Sequence, residues 1–161
     1  MMRSSLLLLT GLMLPLPSWA DTLRAVVVSV TSGNTITILG DAHLERRIRL
    51  AGIDAPAEGQ GYAGLSKAHL THLVFQKEVT VAWFREDRYG RIVGKVTIDD
   101  TDVGLRQIKA GLAWHRKSLQ TEESPEDRKQ YDEAEEIARS QHRGLWEDKA
   151  LLTTWEFRQK K

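Results

Sequence analysis

Five stretches of the chain are predicted to be β-strands, and apolar and polar residues alternate along the second and third of them. The first stretch is rich in β-branched residues and ends at Ser32-Gly33-Asn34, a sequence typical of a tight hairpin turn. The first three stretches are joined by short turns, which predicts a three-stranded meander. The predicted strands span residues 23–30, 35–39, 44–53, 78–84 and 92–98.

Three other segments have a helical spacing of apolar residues instead. One spans about residues 65–76, a short one contains Leu105, Ile108 and Leu112, and the last runs from Pro125 to about Gln141. Three strands, a helix and two strands form the element order of a five-stranded Greek-key barrel of the OB type. We therefore expect an α+β fold, mainly β, with three helices packed on an OB barrel.

The first twenty residues have the pattern of a secretory signal peptide. Arg3 precedes a leucine-rich stretch, and Ser18-Trp19-Ala20 places small residues where a signal peptidase cleaves. Cleavage after Ala20 is favoured over an uncleaved anchor, because the apolar stretch is short for a membrane span and contains two prolines. We expect an exported protein, periplasmic or secreted, with no stable membrane association after cleavage. A single domain then covers 21–161, with its core at about 22–147 and a tail at 148–161.

The charge balance gives no general attraction for nucleic acid. The chain has 23 basic and 22 acidic side chains, and Arg3 is the single charged residue of the first twenty, so the exported part is neutral. A protein of this composition that binds a polyanion must gather its positive charge locally. There is no cysteine, which excludes disulfides, thiolate metal sites and a cysteine nucleophile and leaves oxygen or imidazole ligands for any metal.

Four short motifs occur in an order that matches the predicted strands. They are Gly33-Asn34-Thr35, Ile48 to Pro56 (sequence IRLAGIDAP), Asp87-Arg88-Tyr89-Gly90-Arg91 and Gly144-Leu145-Trp146. Together they resemble the staphylococcal nuclease (thermonuclease) family over about residues 22–147. The resemblance implies an OB barrel with added helices and an enzyme that cleaves DNA and RNA phosphodiesters, usually with Ca²⁺.

The resemblance also implies a metal site made of oxygen atoms. Asp54 matches a metal-ligand aspartate of the family, and the backbone carbonyl of Ala55 is a further ligand. Asn34 stands where the family has a second carboxylate; it keeps a carbonyl oxygen and loses the negative charge. Oxygen ligands of this kind suit a hard divalent ion, and Ca²⁺ is the expected cofactor.

Arginines and an aromatic ring are implied to bind the nucleic acid. Arg49 and Arg91 match two arginines that bind the scissile phosphate, because planar guanidinium groups can each contact two phosphate oxygens. Tyr89 matches an aromatic residue that contacts the nucleotide, and Arg88 stands where the family has a basic residue. Lys117 follows the second helix near the region where the family contacts its substrate.

The general base is missing from its expected position. The family has a glutamate directly after Asp-x-Pro, and this chain has Ala57 there. Glu58 is one position further along a glycine-rich loop and is the candidate replacement, although it also has the pattern of a solvated loop acid. Loss of a general base lowers a rate by about 10² to 10⁴.

Two hypotheses of different classes therefore remain open. In the first, the protein is a metal-dependent nuclease for DNA or RNA, with Arg49, Arg91 and Glu58 catalytic and a divalent ion on Asp54. In the second, it is a catalytically degenerate relative that binds nucleic acid, a phosphorylated ligand or a protein partner without cleavage. The retained arginines and Asp54 favour the first, and Asn34 and Ala57 favour the second. We expect a monomer in either case.

Overall fold

The computed structural model describes residues 21–148 and 150–160, and the predicted signal segment at 1–20 lies outside them. Five long strands form the central sheet, and each overlaps one of the five predicted strands. Three short strands of two residues complete the β-structure. In chain order the strands are β1 (Thr22–Ser32), β2 (Thr35–Leu39), β3 (Glu45–Leu50), β4 (Ile53–Asp54), β5 (Glu78–Glu86), β6 (Ile92–Ile98), β7 (Thr101–Asp102) and β8 (Trp114–His115).

The sheet closes on itself as a five-stranded barrel. Strands β3, β2, β1, β5 and β6 are neighbours in that order, with antiparallel pairing throughout. A parallel pairing of β3 with β6, which places Arg49 beside Val93, then joins the two ends. This closure confirms the predicted OB-type barrel, and it brings β3 and the β5–β6 turn to the same side of the molecule.

All three predicted helices are present, and a fourth lies in the tail. Asp102 caps the second helix by accepting a hydrogen bond from the backbone N–H of Leu105. Pro125 is the first residue of the third helix, as predicted. The helices are α1 (Ala63–Val74), α2 (Val103–Lys109), α3 (Pro125–Ser140) and α4 (Thr154–Gln159).

The third strand is shorter than the alternation predicts. It ends at Leu50, and the chain turns at Gly52, whose φ of +69° favours glycine. Ile53 and Asp54 then form β4, which pairs with β8 instead of continuing the barrel strand. The residues after Asp54 leave the sheet and form the glycine-rich loop. The turn therefore places the carboxylate of Asp54 at the start of this loop.

The interior of the barrel is apolar, which accounts for its closure. Val27, Ile36, Ile48 and Val81 point inward from four different strands and are fully buried. Helix α1 covers this core with Leu70 and Val74. Burial of such side chains stabilises a fold by about 1.5 to 3 kcal/mol each. In the part of the chain that the structure describes, we find no helix of sufficient length and apolar character to cross a membrane.

Candidate active site

A cavity of about 540 Å³ lies at the side of the barrel where β3, the β5–β6 turn and the loop after Asp54 meet. Three acidic residues, Asp54, Glu58 and Asp87, contribute to its wall. Arginine is the most frequent residue in the lining, so this cavity gathers the positive charge that is diluted along the sequence. The six arginines are Arg49, Arg85, Arg88, Arg91, Arg116 and Arg158.

Asp87 holds Arg49 and Arg91 next to each other. Its Oδ2 atom lies 2.8 Å from Nη2 of Arg91 and 3.8 Å from Nε of Arg49. Its Oδ1 atom accepts hydrogen bonds from the backbone N–H groups of Tyr89 and Arg91. Burial raises the pKa of Asp87, but these hydrogen bonds and the charge of Arg91 outweigh it and lower the pKa below its ordinary value. The structure thus brings the two predicted phosphate-binding arginines together on one ionised carboxylate.

Glu122 is a second acid at this site, and sequence reasoning missed it. It lies in the polar stretch before α3, where no motif distinguishes it from neighbouring acids. Its carboxylate is buried, with Oε1 2.5 Å from Nη2 of Arg49 and Oε2 accepting a 3.1 Å hydrogen bond from the backbone N–H of Gly52. Arg85 donates to the same Oε1 atom. Arg49, which is 8% exposed, is therefore fixed from two sides by Glu122 and Asp87.

The residues predicted as metal ligands also lie together, but their oxygen atoms accept hydrogen bonds from other groups of this chain. Asn34 directs its Nδ2 toward Asp54 Oδ1 at 3.4 Å, and Arg116 donates from Nη1 to Asp54 Oδ2 at 3.2 Å. Burial raises the pKa of Asp54 above its ordinary value, although the charges of Arg116 and Arg158 oppose this effect. Both carboxylate oxygens of Asp54 therefore have donors from this chain.

The carbonyl of Ala55 also has a donor, and it comes from the tail. The hydroxyl of Thr154 at the start of α4 donates to it at 2.7 Å, and Thr154 is completely buried. Gln60 connects the same loop and the same tail, because its side chain donates to the carbonyl of Leu152 and accepts from the backbone N–H of Ala57. The tail, which had no role in the sequence interpretation, is thus part of the cavity and supplies Arg158.

These donors do not fit the divalent ion that the resemblance implies. Calcium takes six to eight oxygen ligands and is held mainly by carboxylates. Asp54 is the one carboxylate among the three predicted ligands, and a guanidinium group contacts it. In residues 21–148 and 150–160, no group of three or more Asp, Glu or His side chains is placed to hold a metal ion.

The remaining predicted residues divide between two places. Glu58 is exposed on the cavity wall, beside Ala57. Tyr89 is 59% exposed and receives a hydrogen bond from Arg88 at 2.7 Å, with the guanidinium carbon of Arg91 5.4 Å from its ring centre. Lys117 lines a neighbouring cavity of about 690 Å³ instead and pairs with Asp132 at 3.2 Å.

Comparison with known proteins agrees with this geometry. The pattern of the family described as "Staphylococcal nuclease homologue" matches residues 47–148, which include most of β3, the β5–β6 turn and Glu122. The chain belongs to this family. The match covers most of β3, all of β5 and β6, and all three predicted helices. The family resemblance noted from the motifs is therefore confirmed.

Several relatives match the chain over most of both sequences. The chain is 34% identical over 156 residues to a micrococcal nuclease of Shigella flexneri, covering 91% of this chain and 86% of the relative. It is 38% identical over 136 residues to an uncharacterized endonuclease of Escherichia coli, covering 84% of each. It is also 31% identical over 151 residues to protein ParB of Escherichia coli, covering 88% of this chain and 82% of the relative.

Proposed function

We propose that this protein is a nuclease that hydrolyses phosphodiester bonds of DNA or RNA. The observation that carries the proposal is the pair of guanidinium groups of Arg49 and Arg91, held by Asp87 in a cavity lined by six arginines. Membership of the staphylococcal nuclease family, with relatives named nuclease and endonuclease, supports the same activity.

The arginines bind the phosphate and stabilise the charge that develops during hydrolysis. Arg91, whose side chain is 24% exposed, and the more buried Arg49 of β3 both line the cavity. Groups fixed in place before reaction need no reorganisation as the transition state forms, and removal of one such donor typically costs about 10² to 10³ in rate. Tyr89, exposed at the rim, offers its ring to a nucleotide base, a contact worth about 1 to 3 kcal/mol with little sequence preference.

Glu58 is the proposed general base. Water attacks the phosphorus and its proton passes to the Glu58 carboxylate. The bond from phosphorus to the leaving oxygen breaks, and that oxygen takes a proton from solvent water. Glu58 lines the cavity directly after Ala57, so it occupies the same loop as the glutamate that the resemblance leads one to expect. No tightly bound calcium ion takes part in this mechanism, because Asn34, Asp54 and Ala55 do not fit one.

Export and a monomeric state remain part of the proposal. Export rests on the sequence pattern of residues 1–20.

A second candidate function is nucleic-acid binding without cleavage. Two substitutions favour it, Asn34 in place of a carboxylate and Ala57 in place of the glutamate base. The arginine-lined cavity suits this function equally well, so only a measurement of cleavage distinguishes the two.

A nuclease assay on the purified protein tests the proposal. Single-stranded DNA, duplex DNA and RNA are each incubated with the protein in the presence of Ca²⁺, Mg²⁺, Mn²⁺ or a chelator. The control variant is Arg106→Ala, because Arg106 is an exposed residue of α2. Arg91→Ala should lower the rate by about 10² to 10³, and Glu58→Gln by about 10², whereas Arg106→Ala should retain it. If no substrate is cleaved while the protein binds an oligonucleotide through Arg49 and Arg91, the binding function replaces the proposal.

A further inference from the structure

Arg116 connects the catalytic cavity and the neighbouring one, and it is the residue that changes the interpretation of the predicted metal site. It follows β8 and lines both cavities. Its Nη1 atom lies 3.2 Å from Asp54 Oδ2, which is the distance of a direct ion pair. The carboxylate of Asp54 is 6% exposed, so this pair lies mainly inside the protein.

Three further contacts hold Arg116 in this position, two at its guanidinium group and one at its backbone. Its Nε donates to the hydroxyl of Ser118 at 3.2 Å, and its guanidinium carbon lies 5.6 Å from the ring centre of Trp155. The backbone N–H of Arg116 donates to the carbonyl of Gly52 at 2.8 Å. The side chain is 31% exposed, so part of the guanidinium faces the cavity. A positive charge is thus built into the wall, with its orientation fixed by β8 and α4.

The amide of Asn34 is oriented for this ion pair and against a metal ion. Its Oδ1 accepts hydrogen bonds from the hydroxyls of Ser32 and Thr35 at 2.9 and 3.3 Å. Its Nδ2 faces Asp54 Oδ1 and the carbonyl of Ile53. The opposite orientation would bring the amide oxygen against these two oxygens, which repel it. The uncharged Asn34 therefore stabilises the single charge of Asp54.

The balance of charge leads to the same conclusion. A divalent cation bound to one carboxylate leaves a net positive charge, which a second carboxylate would reduce, but here that position holds an amide. Arg116 and Asp54 instead cancel, and Arg158 adds a further positive charge to the same cavity wall. A cation that approaches Asp54 meets a guanidinium group on the same carboxylate and is repelled by it.

We propose that the guanidinium of Arg116 takes the place of the divalent cation beside Asp54 and supplies positive charge to the substrate phosphate without a metal ion. The role of Arg116 toward a phosphate rests on the proposed nuclease function. The position of its guanidinium group beside Asp54 does not. A guanidinium fork binds two phosphate oxygens at once, as a divalent ion does, and is charged at every physiological pH.

Direct titration with metal ions tests the placement. Calorimetric titration of the purified protein with CaCl₂ and MnCl₂ should show no saturable binding below about 1 mM, a limit typical of weak calcium sites. The double variant Asn34→Asp, Arg116→Gln restores a carboxylate and removes the guanidinium, and it should bind at least one of the ions at least tenfold more tightly. Circular dichroism establishes that each variant is folded.

Two results of the titration overturn the placement. The first is saturable binding to the unmodified protein that Asp54→Asn abolishes. The second is a folded double variant that binds neither ion more tightly than the unmodified protein. Arg106→Gln is the matched control, since Arg106 is an exposed arginine of α2 that does not line the cavity.

Cleavage in chelator tests the role toward phosphate. Activity should persist in EDTA, fall at least tenfold in Arg116→Gln and be only partly restored in Arg116→Lys, which keeps the charge and loses the two-pronged contact. Loss of activity in EDTA with recovery in Ca²⁺ contradicts the role. If no form of the protein cleaves nucleic acid, the proposed nuclease function fails. The role of Arg116 is then tested by the affinity for a single-stranded oligonucleotide, which Arg116→Gln should weaken and Arg106→Gln should not.

Discussion

Glu122 Oε1 lies 2.5 Å from Nη2 of Arg49, and this contact joins the segment before α3 to a barrel strand 73 positions earlier in the chain. The Glu122 side chain is 1% exposed and that of Arg49 is 9% exposed, so water screens the pair weakly. Glu122 also binds Gly52 and Arg85, so one carboxylate holds the turn after β3 and two arginines that line the cavity.

Replacement of Glu122 by glutamine should destabilise the protein. The variant keeps the size of the side chain but leaves Arg49 buried without its nearest charged partner, which typically costs about 3 kcal/mol. Urea unfolding measures the free energy. Glu136→Gln, on the exposed face of α3, is the control and should change stability by less than about 0.5 kcal/mol. Equal stability of the two variants would show that Glu122 does not hold Arg49.

Replacement of Asp87 by asparagine should separate catalysis from binding. The change removes the charge that orients Arg49 and Arg91 while leaving both arginines in place. We expect kcat to fall about tenfold, because misplaced catalytic groups lose rate, and KM not to rise, because the cavity becomes more positive. Steady-state kinetics give both constants, with Asp100→Asn in the exposed β6–β7 turn as the control. A rise in KM with unchanged kcat would contradict the orienting role.

Replacement of Thr154 by valine should loosen the tail. The variant keeps the shape of the side chain and leaves the carbonyl of Ala55 without its 2.7 Å donor in a buried position. An unsatisfied buried acceptor costs about 1 to 3 kcal/mol. Unfolding in urea and proteolysis of the C-terminal segment are the measurements, and Thr31→Val on the exposed part of β1 is the matched control. Unchanged protease resistance would mean that α4 is held without this bond.

Replacement of Gly33 by alanine should strain the hairpin beside the cavity. An added Cβ would lie 1.7 Å from the hydroxyl oxygen of Ser66 and 2.9 Å from the Cβ of Ala55, so the surrounding chain must move. Such overpacking costs about 1 to 3 kcal/mol. The control is Gly64→Ala in α1, where an added Cβ meets nothing within 4 Å and the helix should gain about 0.5 to 1 kcal/mol. Thermal unfolding distinguishes these opposite signs.

Stability should depend on pH through His115. Its buried ring lies 3.0 Å from Glu123 Oε2 and 3.0 Å from Asp132 Oδ1. Burial lowers the pKa of His115, but the two carboxylates outweigh burial and raise the pKa above its ordinary value. A raised pKa in the folded state contributes stability that is complete below the ordinary value and is lost as the pH rises through the raised one.

The free energy of unfolding, measured from about pH 6 to pH 9, should therefore decrease more in the unmodified protein than in His115→Gln. His72→Gln, an exposed histidine of α1, should follow the unmodified protein. Parallel curves for the unmodified protein and His115→Gln would show that His115 does not link stability to pH.

Local patterns predicted the barrel because the residue types within each strand, and the turn residues beside it, are enough to predict that strand. Residues 35–39 and 92–98 were predicted as strands, and the structure has strands with these same limits. The prediction extended the third strand to Ile53, which was wrong, because the turn at Gly52 and the pairing of β4 with β8 depend on a segment 60 residues away. The tail helix was missed as well, since its six residues pack on the loop after Asp54 and carry little signal alone.

The sequence by itself determined the strands, three helices and the motifs that contain Arg49, Asp54 and Arg91, because each depends on neighbours along the chain. Its charge count, which is neutral after residue 20, gave no sign of a polyanion site. Tertiary structure decided that six arginines share one cavity, that Glu122 holds Arg49 and that Arg116 pairs with Asp54. These contacts join residues far apart in the chain, and only closure of the barrel with its packed tail brings such charges within a few ångströms of one another.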